Sequence, residues 1–260
     1  MSLVGHSSPA FCHEPVATTL EKVSRAGFDI WEVVGEGEHS PWDRRREFLK
    51  VLPSYSIRLQ LHAPISDCNL GSLVPAAWEQ SVQRVETALR GASVIGATRV
   101  TVHPGNHTPL SRDHYESLHE ATRRAVRRLD RAGRELGLEL NLENMPTGWA
   151  FETDSVRKLV DLVEGTEFGL CLDLGHAHVA KRLPEFQRAA KRVRNVHIHD
   201  NRGQVDEHRT LSEGNLPWKE AAGGLRRAGF GGPWIIESRS HASGRKSRAL
   251  LRKHLASLDD

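Results

Sequence analysis

VHIHDNRGQVDEHRTLSEGNLPW, residues Val196–Trp218, starts as the tail of a strand and runs through a loop into a helix. It packs His197, His199, Asp200, Asp206, His208 and Glu213 among glycines and asparagines. Burying that many imidazoles and carboxylates is costly unless the groups bind something, and a divalent metal cluster is the obvious partner. The same kind of residue recurs at the end of one strand after another, and that recurrence decides the fold.

Outward from this stretch, the periodicity alternates between short β-like runs and amphipathic helical runs. The predicted strands are Leu3–His6, Phe28–Val34, Ile57–Ala63, Thr98–Pro104, Leu138–Asn144, Phe168–Leu174, Arg194–Asp200 and Pro233–Ser238. Helices are predicted near Glu14–Ala26, Trp42–Leu52, Pro75–Ile95, Arg112–Leu136, from Thr153 or Asp154 to Val163, Pro184–Lys191, Leu216–Ala228 and Arg245–Leu255. Eight β-then-α units are the number that a closed parallel barrel requires, so the expected fold is α/β, a single (β/α)8 TIM barrel over residues 1–260. An open doubly wound sheet competes, but no GxGxxG follows an early strand.

Composition agrees. The chain has 260 residues with 38% hydrophobic content, ordinary for one such barrel. No apolar run reaches the ~18 residues a membrane span needs, and no basic-then-apolar leader opens the chain, so a cytoplasmic protein without membrane contact is expected. Cys12, Cys68 and Cys171 are scattered and never form CxxC, which argues against disulfides and against thiolate zinc sites. A net charge of +3 is too small to diagnose nucleic-acid binding. The Arg-rich helix (Arg123, Arg124, Arg127, Arg128, Arg131, Arg134) reads as a solvated outer face rather than a phosphate stripe. Trp31, Trp78 and Trp234 are assigned to the core, whereas Trp42, Trp149 and Trp218 are candidates for a pocket wall.

In parallel barrels the chemistry sits at the C-terminal ends of the strands. Those ends carry His62, His103, Glu143, Asp173, His197 and Glu237, and the loops add His176, Asp206 and His208. A closed ring makes such distant residues converge on one mouth, as a binuclear or trinuclear site needs. A nitrogen and oxygen donor set suits Zn or Mn, with Co, Mg or Fe also compatible. Duller readings compete: a lone histidine at a strand end is commonly a hydrogen-bonded structural residue, and Asp173 suits an N-cap. Glu143 and Glu237 follow apolar residues, and a buried unpaired carboxylate favours a cation partner. His199 shares a strand face with His197, so either could be the ligand. The other nine histidines, His6, His13, His39, His107, His114, His119, His178, His241 and His254, are read as surface or turn residues.

LHAPISDCNLGS, VHPGNH, NLENMP, CLDLGHAH, VHIHD, DEHRTLSEGN and IIES, spread from His62 to Glu237, resemble the xylose isomerase-like barrel superfamily. Within it they resemble endonuclease IV, of AP endonuclease family 2. The resemblance implies up to three zinc ions. One would be held by His62, His103 and Glu143, a second by Glu143, Asp173, His197 and Glu237, and a third by His176, Asp206 and His208. It further implies in-line attack by a metal-activated water on a phosphodiester, with abasic or damaged duplex DNA as partner. Sugar isomerases and epimerases of the superfamily share the second set around one Mn-type ion, with glutamates matching Glu143 and Glu237 moving the proton of a small sugar or sugar phosphate. His62, His103, Asp206 and His208 separate the two classes, because a one-ion isomerase does not need them. Two departures from endonuclease IV stand out: SSPAFCHEP follows the first strand in place of a glycine-rich segment, and the loop GEGEHSPWD is acidic. A scaffold barrel without chemistry is the third alternative, and the oligomeric state is not legible.

Overall fold

The protein is described here by a computed structural model covering residues 2–146, 155–188 and 190–258. Eight parallel strands close into a barrel in sequence order: β1 Val4–Ser7, β2 Ile30–Val34, β3 Arg58–His62, β4 Arg99–Val102, β5 Glu139–Glu143, β6 Gly169–Asp173, β7 Val193–Ile198 and β8 Trp234–Glu237. Closure runs through β1 and β8, where Val4 pairs with Trp234 and Ser7 with Glu237. The strands are buried on both faces almost throughout, because helices cover the outside and side chains fill the inside. That double burial is why they read as apolar runs rather than strict alternations.

The helices are α1 Val16–Arg25, α2 Arg45–Val51, α3 Pro75–Val94, α4 Tyr115–Glu135, α5 Val156–Val163, α6 Leu174–Val179, α7 Leu183–Arg188, α8 Trp218–Arg227 and α9 His241–Ala256. Proline at the first position of α3 lacks the N–H that would be orphaned there, and Ser240 caps α9 reciprocally with Ser243. The expected start of α5 at Thr153 or Asp154 lies outside the described residues. α6 was not expected: it starts directly after β6, with the Asp173 side chain accepting from His176 N at 2.6 Å as its cap.

The arginines of α4 face outward and sideways. Arg128 pairs with Glu79 and Glu86 of α3 at 2.8 and 2.7 Å, Arg134 pairs with Asp130, and Arg124 stacks over Trp78. Leu118, Ala125, Val126 and Leu129 form the buried face of that helix. Trp31 and Trp234 are core residues as expected, but Trp78 sits half-buried between α3 and α4. Trp218 is also core, and Trp42 lies under Arg45, so neither walls the mouth; Trp149 lies outside the described residues. His6 and His39 are not surface residues. His6 stacks on Phe28 and contacts Ser238 Oγ at 2.7 Å, and burial lowers its pKa to about 3.

Candidate metal centre

All nine residues expected at the mouth gather there, around Glu143 at the end of β5. Glu143 is almost wholly buried, and its two oxygens face opposite ways. Oε2 lies 3.3 Å from His62 Nε2 and 3.0 Å from His103 Nε2; Oε1 lies 3.2 Å from His197 Nδ1. The same His197 nitrogen is 3.2 Å from Glu237 Oε1. Register explains the convergence on one side, since Asp173 of β6 pairs with His197 of β7. Two sets of donor atoms here lie within 4.8 Å of one another: His62, Glu143 and His197, and Glu143, Asp173, His197 and Glu237. His103 stands outside both sets and joins through Glu143 and through edge-on packing against the His62 ring, with centroids 4.6 Å apart.

A further donor group lies beside the first. Asp206 Oδ2 is 2.8 Å from His208 Nε2 and 3.3 Å from His176 Nε2, and Asp206 Oδ1 is 3.2 Å from His199 Nε2. His199 therefore belongs to the mouth together with His197 and is not an alternative to it. The groups touch through His199 and Asp173 (3.3 Å) and through His208 and Glu237 (3.6 Å).

Backbone carbonyls fix the orientation of two imidazoles. A carbonyl only accepts, so a ring nitrogen bonded to one must carry a proton, and in the neutral ring that a metal would bind the other nitrogen is the lone pair. Nδ1 of His62 donates to Ala63 O (2.9 Å), and Nδ1 of His176 donates to Asn144 O (2.8 Å). Both thereby turn Nε2 toward carboxylates. His197 is reversed: its Nε2 lies 2.9 Å from Glu32 Oε1, leaving Nδ1 for Glu143 and Glu237. Glu32 was not singled out in the sequence, although a carboxylate in the middle of the apolar run FDIWEVV is itself a signal.

Electrostatics reinforce this reading. Burial would raise the Glu143 carboxyl, yet His197 and His103 hold it well below the usual carboxylate range. Glu237 and Asp206 are lowered against burial in the same way, Glu237 by His197 and Asp206 by its contacts with His176 and His208. Burial opposes protonation of His62, but Glu143 raises it to about 9; Asp173 likewise raises His199 to about 9. His103 goes the other way, because burial outweighs Glu143. Asp173 Oδ2, His199 Nε2 and Asp206 Oδ1 are buried without a hydrogen-bond partner, which fits atoms meant for cations. Burial pushes the thiols up to about 12 for Cys12, 11 for Cys68 and 12 for Cys171, so no thiolate donor competes.

His62, His103, Glu143, His176, Asp206, His208 and Glu237 line a cavity of about 190 Å³, walled on its apolar side by Pro9, Ile65, Met145 and Pro146. Among the described residues, no helix is long and apolar enough to cross a membrane.

The chain is similar to several known proteins. The chain is 29% identical over 259 residues to uncharacterized protein MJ1311 of Methanocaldococcus jannaschii, covering 96% of this chain and 88% of that one. It is 28% identical over 271 residues to the probable endonuclease 4 of Mycobacterium ulcerans, covering 99% and 100%. Among solved structures, a D-tagatose 3-epimerase-like protein superposes with a TM-score of 0.90 at 26% identity, covering 100% and 98%. A family model described as xylose isomerase-like TIM barrel matches residues 20–260, and the chain belongs to that family.

Proposed function

We propose that the protein is a metal-dependent hydrolase of phosphate esters, of the endonuclease IV type. The observation that carries this reading is the second donor group, His176, Asp206 and His208 with His199, lying against the Glu143-centred group. One-ion isomerisation leaves that second group without a task, whereas in-line displacement at phosphorus uses clustered cations on the attacking, leaving and non-bridging oxygens. The likeness to the probable endonuclease 4 over its whole length supports the same reading. Zinc fits the donors, and manganese is compatible.

Divalent ions held by these donor sets would supply Lewis acidity for acidifying water and neutralising phosphoryl oxygens. The chain supplies placement. Glu143 joins the two halves of its donor group, and Glu237 faces both His197 and His208. Pro9, Ile65, Met145 and Pro146 exclude water above them. The cavity falls below the roughly 300–1,000 Å³ of common ligand pockets, so it suits one sugar-phosphate unit. A duplex would have to present that unit flipped out of its stack. The acidic loop after β2 is less repulsive than its sequence suggests: Glu36 accepts from Ile65 N, Ser66 N and Ser66 Oγ, and Glu38 pairs with Arg44.

Sugar epimerisation is the second reading. It is favoured by the 0.90 superposition on the epimerase-like protein and by Glu143 and Glu237 flanking one donor group, as a proton-moving pair would. Metal stoichiometry, with assays on an abasic-site duplex, a bis-aryl phosphate and a panel of keto-sugars, decides between them. Two or more tight ions per chain and phosphoester cleavage abolished by chelation and by His208→Ala are expected. One ion per chain together with C3-epimerised sugar would overturn the hydrolase.

A further inference from the structure

We infer that His199 is a fourth protein ligand of the second donor group, so that its ion rests in a filled tetrahedral shell and meets a phosphoryl oxygen only by expanding to five ligands. This rests on the reading above, and deepens it. The resemblance to endonuclease IV calls for only three donors here, His176, Asp206 and His208. The fold adds a fourth from below. His199 is wholly buried, with Nδ1 3.5 Å from the Asp200 carbonyl. Its Nε2 faces Asp206 Oδ1 at 3.2 Å and Asp173 Oδ1 at 3.3 Å. Charge balance there calls for a proton or a cation on Nε2, and a divalent ion would take the proton's place.

The spacing suits four-coordination. Bonds of about 2.0–2.1 Å in a tetrahedron place donors about 3.3 Å apart. His199 and His176 lie 3.2 and 3.3 Å from the Asp206 oxygens, and all four residues offer atoms within 4.8 Å. Three protein ligands leave a position for water or substrate; four close the shell.

The chain is shaped to put His199 there. Its ring lies against the backbone of Gly175, where a Cβ would stand 2.1 Å from a ring carbon. His208 holds φ of +47°, a left-handed conformation that is uncommon for a residue with a side chain and that persists where surrounding structure imposes it. Gly175 and the strained His208 bring opposite walls of one site together.

The test is cobalt and zinc titration of the metal-free full chain and of His199→Asn, His199→Gln and Gly175→Ala, with the visible cobalt spectrum read with and without azide. In the parent protein the second ion should give a four-coordinate spectrum that azide leaves unchanged. The His199 variants should weaken that ion by more than the roughly 10–100-fold that loss of an outer partner costs, and should make its spectrum azide-sensitive. Gly175→Ala, by displacing the ring, should do likewise. Retained affinity for the first ion certifies that each variant folds. Two or more ions in the parent, with the second unaffected in every variant, would overturn the role of His199 while leaving the hydrolase reading standing. A parent protein that holds a single ion would sink both.

Discussion

Glu32 would shape the proposed metal site without touching the ion. It is wholly buried in β2, with Oε1 against His197 Nε2 and Oε2 accepting from Thr101 Oγ1 (3.3 Å) and Asn195 Nδ2 (3.1 Å). Its negative charge holds the His197 proton on Nε2 and so frees Nδ1 for the donors at the mouth. Glu32→Gln keeps the shape and removes the charge, and its amide N–H2 can face Nε2 and favour the opposite tautomer. Affinity for the ion held by His197 should fall roughly 10–100-fold, with far-UV circular dichroism unchanged. An unchanged titration isotherm would show that Glu32 only fills space. Strand ends gave away six of the nine mouth residues, because the runs of β3 to β8 each finish in or beside a histidine or carboxylate; the loops after β6 and β7 gave His176, Asp206 and His208. Glu32 stayed hidden, and the choice between His197 and His199 stayed open, for a different reason: which ring nitrogen carries the proton depends on neighbours brought together by closure, and no local pattern encodes it.

The stretch after β7 behaves as one element. The Asp200 carboxylate accepts from Asn201 N, Ser212 N, Gly214 N and Leu216 N at 2.8–3.1 Å, and its backbone pairs with Arg209 in both directions. His178 of α6 adds a contact to Asn201 Oδ1 at 2.8 Å. The sequence led one to count Asp200 among the acidic residues of a metal cluster; in the fold it is the post around which the loop carrying Asp206 and His208 winds. Asp200→Asn leaves at least one backbone N–H facing another donor. It should lower stability by about 2–4 kcal/mol in urea unfolding and weaken the second ion more than the first. Equal weakening of both ions would mean that the loop does not form its own unit. α6 belongs to the same scale. It was missed because its six residues are too few to show a helical period, although Asp173 already carried the cap signal.

Across the whole molecule, closure gathers histidines and carboxylates into one charged cluster, and that cluster ties stability to pH and to metal. His62 and His199 titrate near 9 in the metal-free protein, raised from 6.5. A raised folded value contributes stability that is complete below the unfolded 6.5 and is lost as pH climbs through about 9. Glu143, Glu237 and Asp206 run oppositely: their lowered values give stability that is present above the unfolded 4.5 or 3.8 and is lost in acid. The lowered values of His6 and His103 cost stability as pH falls below 6.5, so the metal-free protein should be most stable near pH 6.5, and its Tm should drop on the way to pH 9. Divalent ions compete with the imidazole protons, so they bind better as those protons leave. At 100 times its Kd an ion adds about 2.7 kcal/mol, and the Tm gain at fixed zinc should accordingly be larger at pH 8.5 than at pH 6.5. Scanning calorimetry with and without metal reads both slopes. Equal gains at the two pH values would mean that the ions bind through groups other than these imidazoles. His103 refines the expectation, since burial lowers its pKa and its ligation therefore releases fewer protons than that of His62, whose pKa is raised. Proton release on zinc binding, measured from the buffer dependence of the binding enthalpy, should therefore persist in His103→Ala and fall in His62→Ala.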